Sequence, residues 1–113
     1  MLRYIVDMED ELRAADGMIG IFSGARMMMF PLDAVQVLET VRNVPVDKTV
    51  QDTLRFVAAD ALLGREYEVF VPERHADFAA FSKAVAAALP ELDVRREGAF
   101  TPPACDGNGH HLD

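Results

Sequence analysis

The stretch EYEVFVPERHADFAAFSKAVAAALPELDVRR, residues 66–96, decides the predicted fold. Its beginning alternates apolar and polar side chains up to Pro72, which indicates a half-buried strand. A helix is predicted from 74 to 89, because apolar residues recur there at helical spacing: Phe78, Phe81, Val85, Ala88 and Leu89. Leu92 and Val94 then predict a short last strand. A strand, a helix and a strand with short connections favour a right-handed crossover between parallel strands.

The first 30 residues indicate further strands. Leu2, Tyr4, Val6 and Met8 alternate with their neighbours, which predicts a first strand, and the acidic residues 9–16 suggest a short helical turn. Residues 18–22 and 26–30 flank Ser23-Gly24-Ala25, and a three-residue loop with a central glycine is typical of a hairpin. The alternative is that the methionines at 27–29 begin a helix, since methionine is not a strong strand former.

Two helices are predicted in the middle of the chain. Asp33 is a suitable cap for the first, whose apolar residues are Ala34, Val37, Leu38, Val41 and Val44. Asp47 is a suitable cap for the second, whose stripe is Val50, Leu54, Val57, Ala58 and Ala61. Gly64 then stands where a helix commonly ends in a left-handed residue.

These elements predict a single α+β domain over residues 1–100, in the order β-β-β-α-α-β-α-β. The sheet is expected to be mixed, with about four to five strands, and the three helices to lie mainly on one face. Residues 101–113 contain two prolines, two glycines and an asparagine, which predicts a mobile C-terminal tail.

Composition excludes several classes of function. The chain has 113 residues, 19 acidic against 11 basic side chains, a net charge of −8 and one cysteine, Cys105. Such acidity disfavours direct binding to nucleic acid or to an anionic membrane, because both depend on Lys and Arg. No apolar run approaches the ~20 residues of a membrane span, and nothing suggests disulfides or secretion, so a cytoplasmic protein is expected.

No catalytic constellation is evident, and the expectation is a protein that is not an enzyme and has no cofactor or metal. A site of Ser23 with His75 is disfavoured, because serine is common in turns for conformational reasons alone. Glu66 and Glu68 lie about 7 Å apart on one strand face, which more often marks a solvated face than an acid–base pair. In the tail, zinc or nickel ligands are present without the paired spacing of a structural site: Cys105, Asp106, His110 and His111.

Two surfaces are predicted to bind a partner protein. The first is an acidic patch, expected to attract a basic surface: Asp7, Glu9, Asp10, Glu11 and Asp16. The second is an apolar hairpin of adaptable side chains: Met18, Met27, Met28 and Met29. Since successive strand residues face opposite sides, either both faces of the hairpin are covered or one is available to a partner.

The predicted function is that of a small acidic, non-catalytic protein-binding module. It would act as an inhibitor, an immunity protein or an anti-defence protein of the anti-restriction or anti-CRISPR type, by occupying a surface of its partner. One alternative is a structural or chaperone subunit that forms homodimers or larger complexes through the methionine hairpin. The other is a small enzyme that uses carboxylates.

Overall fold

The computed structural model describes residues 1–89 and 95–99. Within these residues the chain forms eight strands, one short 3₁₀ turn at Leu32–Ala34 and a single α-helix. In chain order the strands and the helix are β1 (Leu2–Ile5), β2 (Glu11–Ala15), β3 (Met18–Ser23), β4 (Arg26–Pro31), β5 (Val37–Val46), β6 (Thr49–Ala59), β7 (Glu66–Pro72), α1 (Phe78–Ala88) and β8 (Arg95–Ala99).

The strands form two sheets. The large sheet has the strand order β1-β7-β6-β5-β8, and the small sheet is the antiparallel meander β2-β3-β4. In the large sheet, β5, β6 and β7 are antiparallel neighbours, whereas β1 pairs in parallel with β7 and β8 pairs in parallel with β5. The chain from β7 through α1 to β8 is therefore a crossover between parallel strands, and β6 and β5 lie between them.

The small sheet and α1 pack on one face of the large sheet, its inner face. Phe30 of the small sheet meets Phe56 of β6 and Tyr67 of β7 edge to face, with ring centroids 5.4 and 5.8 Å apart. Phe81 of α1 packs beside Phe56 at 6.1 Å. These rings belong to one cluster of buried side chains to which both sheets and the helix contribute, and its burial is the main source of stability.

The predicted α+β fold with three helices mainly on one face is wrong, because the two central helices are the long β5–β6 hairpin. In β5, Leu38 joins the inner core, whereas Val41 and Val44 join a second cluster with Phe70 on the outer face of the large sheet. A bulge between Val41 and Val44 inserts one extra residue, and Asn43 adopts a φ of +60° there. Apolar residues three apart therefore come from a strand that is buried on both faces and bulged.

The second predicted helix is strand β6, and the prediction is wrong for the same reason. Leu54, Phe56 and Ala58 belong to the inner core, while Thr53 and Val57 are buried from the opposite face. A strand buried on both faces has a nearly continuous apolar sequence, which also contains residues at helical spacing.

Other predicted elements are confirmed with changed boundaries. Strand β7 and helix α1 lie within residues 66–96, as predicted. Residues 18–30 form the β3–β4 hairpin, with a two-residue loop, Gly24-Ala25. The helical turn at 9–16 is wrong. Those residues contain β2, and Asp16 and Gly17, with φ of +54° and +78°, form the tight turn to β3. The predicted last strand begins outside the described residues, and β8 follows at Arg95–Ala99.

Candidate protein-binding surface

The β3–β4 hairpin separates its apolar side chains onto two faces. Ile19, Ile21, Met28 and Phe30 are directed into the core, and each is at most 4% exposed. Four side chains lie on the opposite side, and we call them the methionine face: Met18, Phe22, Met27 and Met29. The strand register aligns Phe22 with Met27 and Gly20 with Met29 on that side. Met27 is 49% exposed and the other three are partly exposed. Of the four methionines predicted to bind a partner, three therefore share this surface, and Met28 is buried on the other side.

Gly20 shapes the methionine face. A Cβ atom at this position would lie 3.0 Å from Phe22 Cε2 and 3.3 Å from Met29 Sδ. The Phe22 ring therefore leans over the glycine backbone and beside the methionine sulfur, an arrangement in which the ring covers a gap in the strand surface. Phe22 and Met29 therefore meet over the Gly20 backbone and form one apolar contact area.

The loop after β6 is hydrogen-bonded to the edge of β4. The buried Asp60 carboxylate accepts hydrogen bonds from the Met29 amide at 3.2 Å and the Leu63 amide at 2.9 Å. The Ala61 amide donates to the Met29 carbonyl at 2.6 Å. These bonds fix the loop against β4 while Leu62 and Leu63 stay 54% and 67% exposed. Two exposed leucines therefore lie in a well-bonded loop at the edge of β4.

The predicted acidic patch is divided by the fold, and Asp10 lies inside the protein. Its carboxylate accepts hydrogen bonds from the Tyr4 hydroxyl and, at 2.9 Å, from the Asp7 amide. Burial and the bond to this carboxylate raise the pKa of Tyr4 above its usual value. Asp10 is only 7% exposed, so its role in this structure is to hold the loop after β1.

His75 fixes the same loop to the start of α1. Its Nε2 lies 2.8 Å from the Asp10 carbonyl oxygen, and its Nδ1 accepts a hydrogen bond from the Asp77 amide at 3.0 Å. A carbonyl only accepts, so Nε2 carries the proton in this tautomer. Both ring nitrogens are thus engaged, and neither is available to activate Ser23 as a nucleophile.

The exposed acids near this loop include one residue that was not predicted to belong to the acidic patch. Asp7 and Glu9 are exposed, and the β5–β6 turn brings Asp47 against them. A hydrogen bond to Asp7, with the charges of Asp7 and Glu9, raises the pKa of Asp47 above its usual range. Asp47 was predicted to cap a helix, and only the true hairpin places it beside residue 7.

The two remaining acids of the patch border the methionine face. Glu11 lies across from Phe22 in the sheet register, and Asp16 stands in the turn just before Met18. Arg13, between them on β2, pairs with Glu11 at a well-exposed position. The exposed apolar side chains of β3 and β4 are therefore flanked on the β2 side by a net negative rim.

Glu66 and Glu68 do not form an acid–base pair. Glu68 lies in a row of alternating charges across the outer face of the large sheet, 3.0 Å from Arg3 Nε and 2.8 Å from Arg55 Nε. Arg55 also reaches Glu39 at 3.3 Å. Burial alone would raise the pKa of Glu68, but the two arginines outweigh it and hold the pKa below its usual value. Glu66 is exposed at the start of β7.

Other sites considered from the sequence have no described counterpart. Cys105, Asp106, His110 and His111 lie outside the described residues. Within residues 1–89 and 95–99, no three His, Cys, Asp or Glu side chains are placed to hold a metal ion. In the same part of the chain, no helix has the length and apolar character needed to cross a membrane.

Comparisons with known proteins return no match. No family model, no curated protein and no solved structure is significantly similar to this chain.

Proposed function

We propose that this chain is a protein-binding module that docks through the methionine face and acts by occupying a surface of its partner. The observation that supports this most directly is the exposure of Met27 on an apolar surface whose reverse side, with Ile21, Met28 and Phe30, is packed in the core. Methionine's flexible, polarizable thioether suits surfaces that adapt to a partner. Clustered apolar side chains on a soluble protein are typical of protein contacts.

The acidic rim predicts the charge of the partner's binding surface. Glu11 and Asp16 border the methionine face, so the fitting partner presents apolar side chains surrounded by Lys or Arg. Opposite charges at the rim of an interface chiefly raise the association rate, and salt weakens that effect. The apolar contacts at the centre of the interface do not depend on screening by salt. Binding should therefore slow in high salt without being abolished.

Self-association through the same face is less favoured by these charges. A two-fold contact would place Glu11 and Asp16 of one copy at the same interface as their counterparts, in a chain whose net charge is already −8. Like charges at a contact oppose it. The expected mass in solution is that of the monomer, 12.5 kDa.

The test compares two charge insertions at exposed apolar positions. Met27→Glu places a carboxylate on the methionine face, and Val50→Glu does the same at a β6 residue that is 63% exposed and far from it in the fold. Proteins captured by immobilised wild-type chain should be lost with the first variant and kept with the second. A benzophenone side chain at position 27, but not at position 50, should crosslink to the same protein.

A captured protein that Met27→Glu retains as well as wild type would refute docking through this face. A mass of two chains in light scattering, reduced to one by Met27→Glu, would instead establish the homodimer. Thermal unfolding of both variants checks that each remains folded.

A further inference from the structure

We propose that Met27 is a site of reversible oxidation by hydroperoxides, and that its sulfoxide releases the partner from the methionine face. This inference rests on the proposed function. It concerns how that surface is regulated, and its first step is measurable without any partner.

Three neighbouring methionines have different access to an oxidant. Met27 is 49% exposed, whereas Met28 on the other side of the same strand is 4% exposed, and Met29 is partly covered beside the Phe22 ring. Met8 is partly buried, and its sulfur accepts a hydrogen bond from Gln51 Nε2 at 3.8 Å. Met1, 71% exposed, lies outside the hairpin. Met18 and Met29 are only partly exposed, so Met27 is the most accessible of the four hairpin methionines and oxidation within the hairpin is directed chiefly to it.

The chemistry is a two-electron oxygen transfer. A lone pair on the sulfur attacks one oxygen of the hydroperoxide, the O–O bond breaks, and water or an alcohol leaves after proton transfer. The sulfur is oxidised to the sulfoxide and the peroxide is reduced. A reductase that uses a dithiol reverses the step, releasing water and forming a disulfide in the reductant.

The sulfoxide changes the surface and leaves the core intact. Its oxygen is a strong hydrogen-bond acceptor that water solvates on the free protein, because Met27 is directed outward. Docking would bury this oxygen among apolar groups, and an unpaired buried polar group opposes binding. The same modification at Met28 would place the oxygen in the core, so burial of Met28 confines the effect to the binding surface.

The first measurement is the rate of oxidation at each methionine. The wild-type chain is treated briefly with dilute hydrogen peroxide, and fragment ions resolve residues 27, 28 and 29 within one peptide. Met27 should be oxidised roughly tenfold faster than Met28. Equal rates at the two positions would overturn the proposal, whatever the outcome of the binding experiments.

The second measurement uses Met27→Leu, which keeps an apolar side chain and has no sulfur. The partner is the protein whose capture Met27→Glu abolishes. After peroxide treatment, wild type should bind it about tenfold more weakly and methionine sulfoxide reductase should restore binding. Met27→Leu should bind equally before and after treatment, which controls for oxidation at Met1 and elsewhere.

The failures are distinguishable. Full binding by wild type that carries Met27 sulfoxide would refute the regulation and leave the docking surface intact. Capture that Met27→Glu does not reduce would refute the docking surface itself. An equal peroxide-induced loss in wild type and Met27→Leu would assign the effect to another residue and overturn the role of Met27.

Discussion

Replacement of Phe30 by alanine tests the packing of the small sheet on the large one. Phe30 is fully buried and contacts the rings of Phe56 and Tyr67 edge to face. Transfer of a phenylalanine side chain out of water is worth about 1.5–3 kcal/mol. The cavity left behind raises the loss for Phe→Ala to about 3–5 kcal/mol. We therefore expect Phe30→Ala to lower the free energy of unfolding by about 4 kcal/mol.

The matched control is Phe22→Ala, the same substitution on the other side of the same small sheet. Phe22 is partly exposed and covers Gly20, so its loss removes surface contacts and leaves no closed cavity. We expect a cost of about 1 kcal/mol. Phe22→Ala should also weaken partner binding, whereas Phe30→Ala should chiefly lower the free energy of unfolding.

The assay is urea unfolding followed by far-ultraviolet circular dichroism. With a urea m-value of roughly 1.5 kcal/mol/M, Phe30→Ala should lower the midpoint by about 2.7 M and Phe22→Ala by less than about 1 M. Equal shifts in the two variants would refute the assignment of Phe30 to the inner face and Phe22 to the outer one. A change in m-value would show that the substitution also altered the extent of unfolding.

Three further predictions concern carboxylates with different surroundings. The pKa of Glu68 is lowered in the folded state, so its ion pairs stabilise the fold above the ordinary value of 4.5 and this stability is lost as the pH falls through the folded pKa. Glu68→Gln should therefore be less stable than wild type near neutral pH, and a difference that persists below that pKa in acid unfolding curves would contradict the ion pairs. The pKa of Asp47 is raised by Asp7, so the repulsion destabilises the fold above the folded pKa and is relieved as the pH falls toward 3.8. Asp47→Asn should accordingly be more stable than wild type at neutral pH, and this advantage should disappear as the pH falls below 3.8. A loss of stability at neutral pH would contradict the repulsion. Asp60→Ala removes the acceptor of the Met29 amide and should lower the free energy of unfolding by about 1–3 kcal/mol. Hydrogen exchange at that amide should become faster, and unchanged exchange would show that other contacts hold the loop.

The sequence was informative where the structure is local. Alternation at residues 18–30 predicts that neighbouring methionines face opposite sides, and the structure places Met27 outside and Met28 inside. The apolar spacing of α1 and the proline after β7 likewise depend on residues close together in the chain. The Asp16-Gly17 turn was missed, because residues 9–16 were interpreted as a helical turn, although this dipeptide is a strong signal for a hairpin.

The remainder depends on contacts between distant residues. Helical spacing in β5 and β6 cannot be distinguished from burial on both faces until the covering elements are known. The proximity of Asp47 to Asp7, the row of charges around Glu68 and the loop bonds of Asp60 all join residues far apart in sequence. Each follows from the sheet order, which no local pattern specifies.

The bulge in β5 also determines how this strand should tolerate random substitution. Its most deeply buried residues are Leu38, Val41, Val44 and Val46, so the sensitive positions are separated by intervals of three, three and two. A survey of all single substitutions would therefore produce a profile that resembles a helix, although the segment is a strand. Deleting Asn43 should still leave Val41 and Val44 on one face, because the register without the extra residue pairs both with the same neighbours. Such a shortened chain should remain foldable and show a strict every-second-residue profile after residue 41, and the contrast between the two surveys would locate the bulge from phenotype alone.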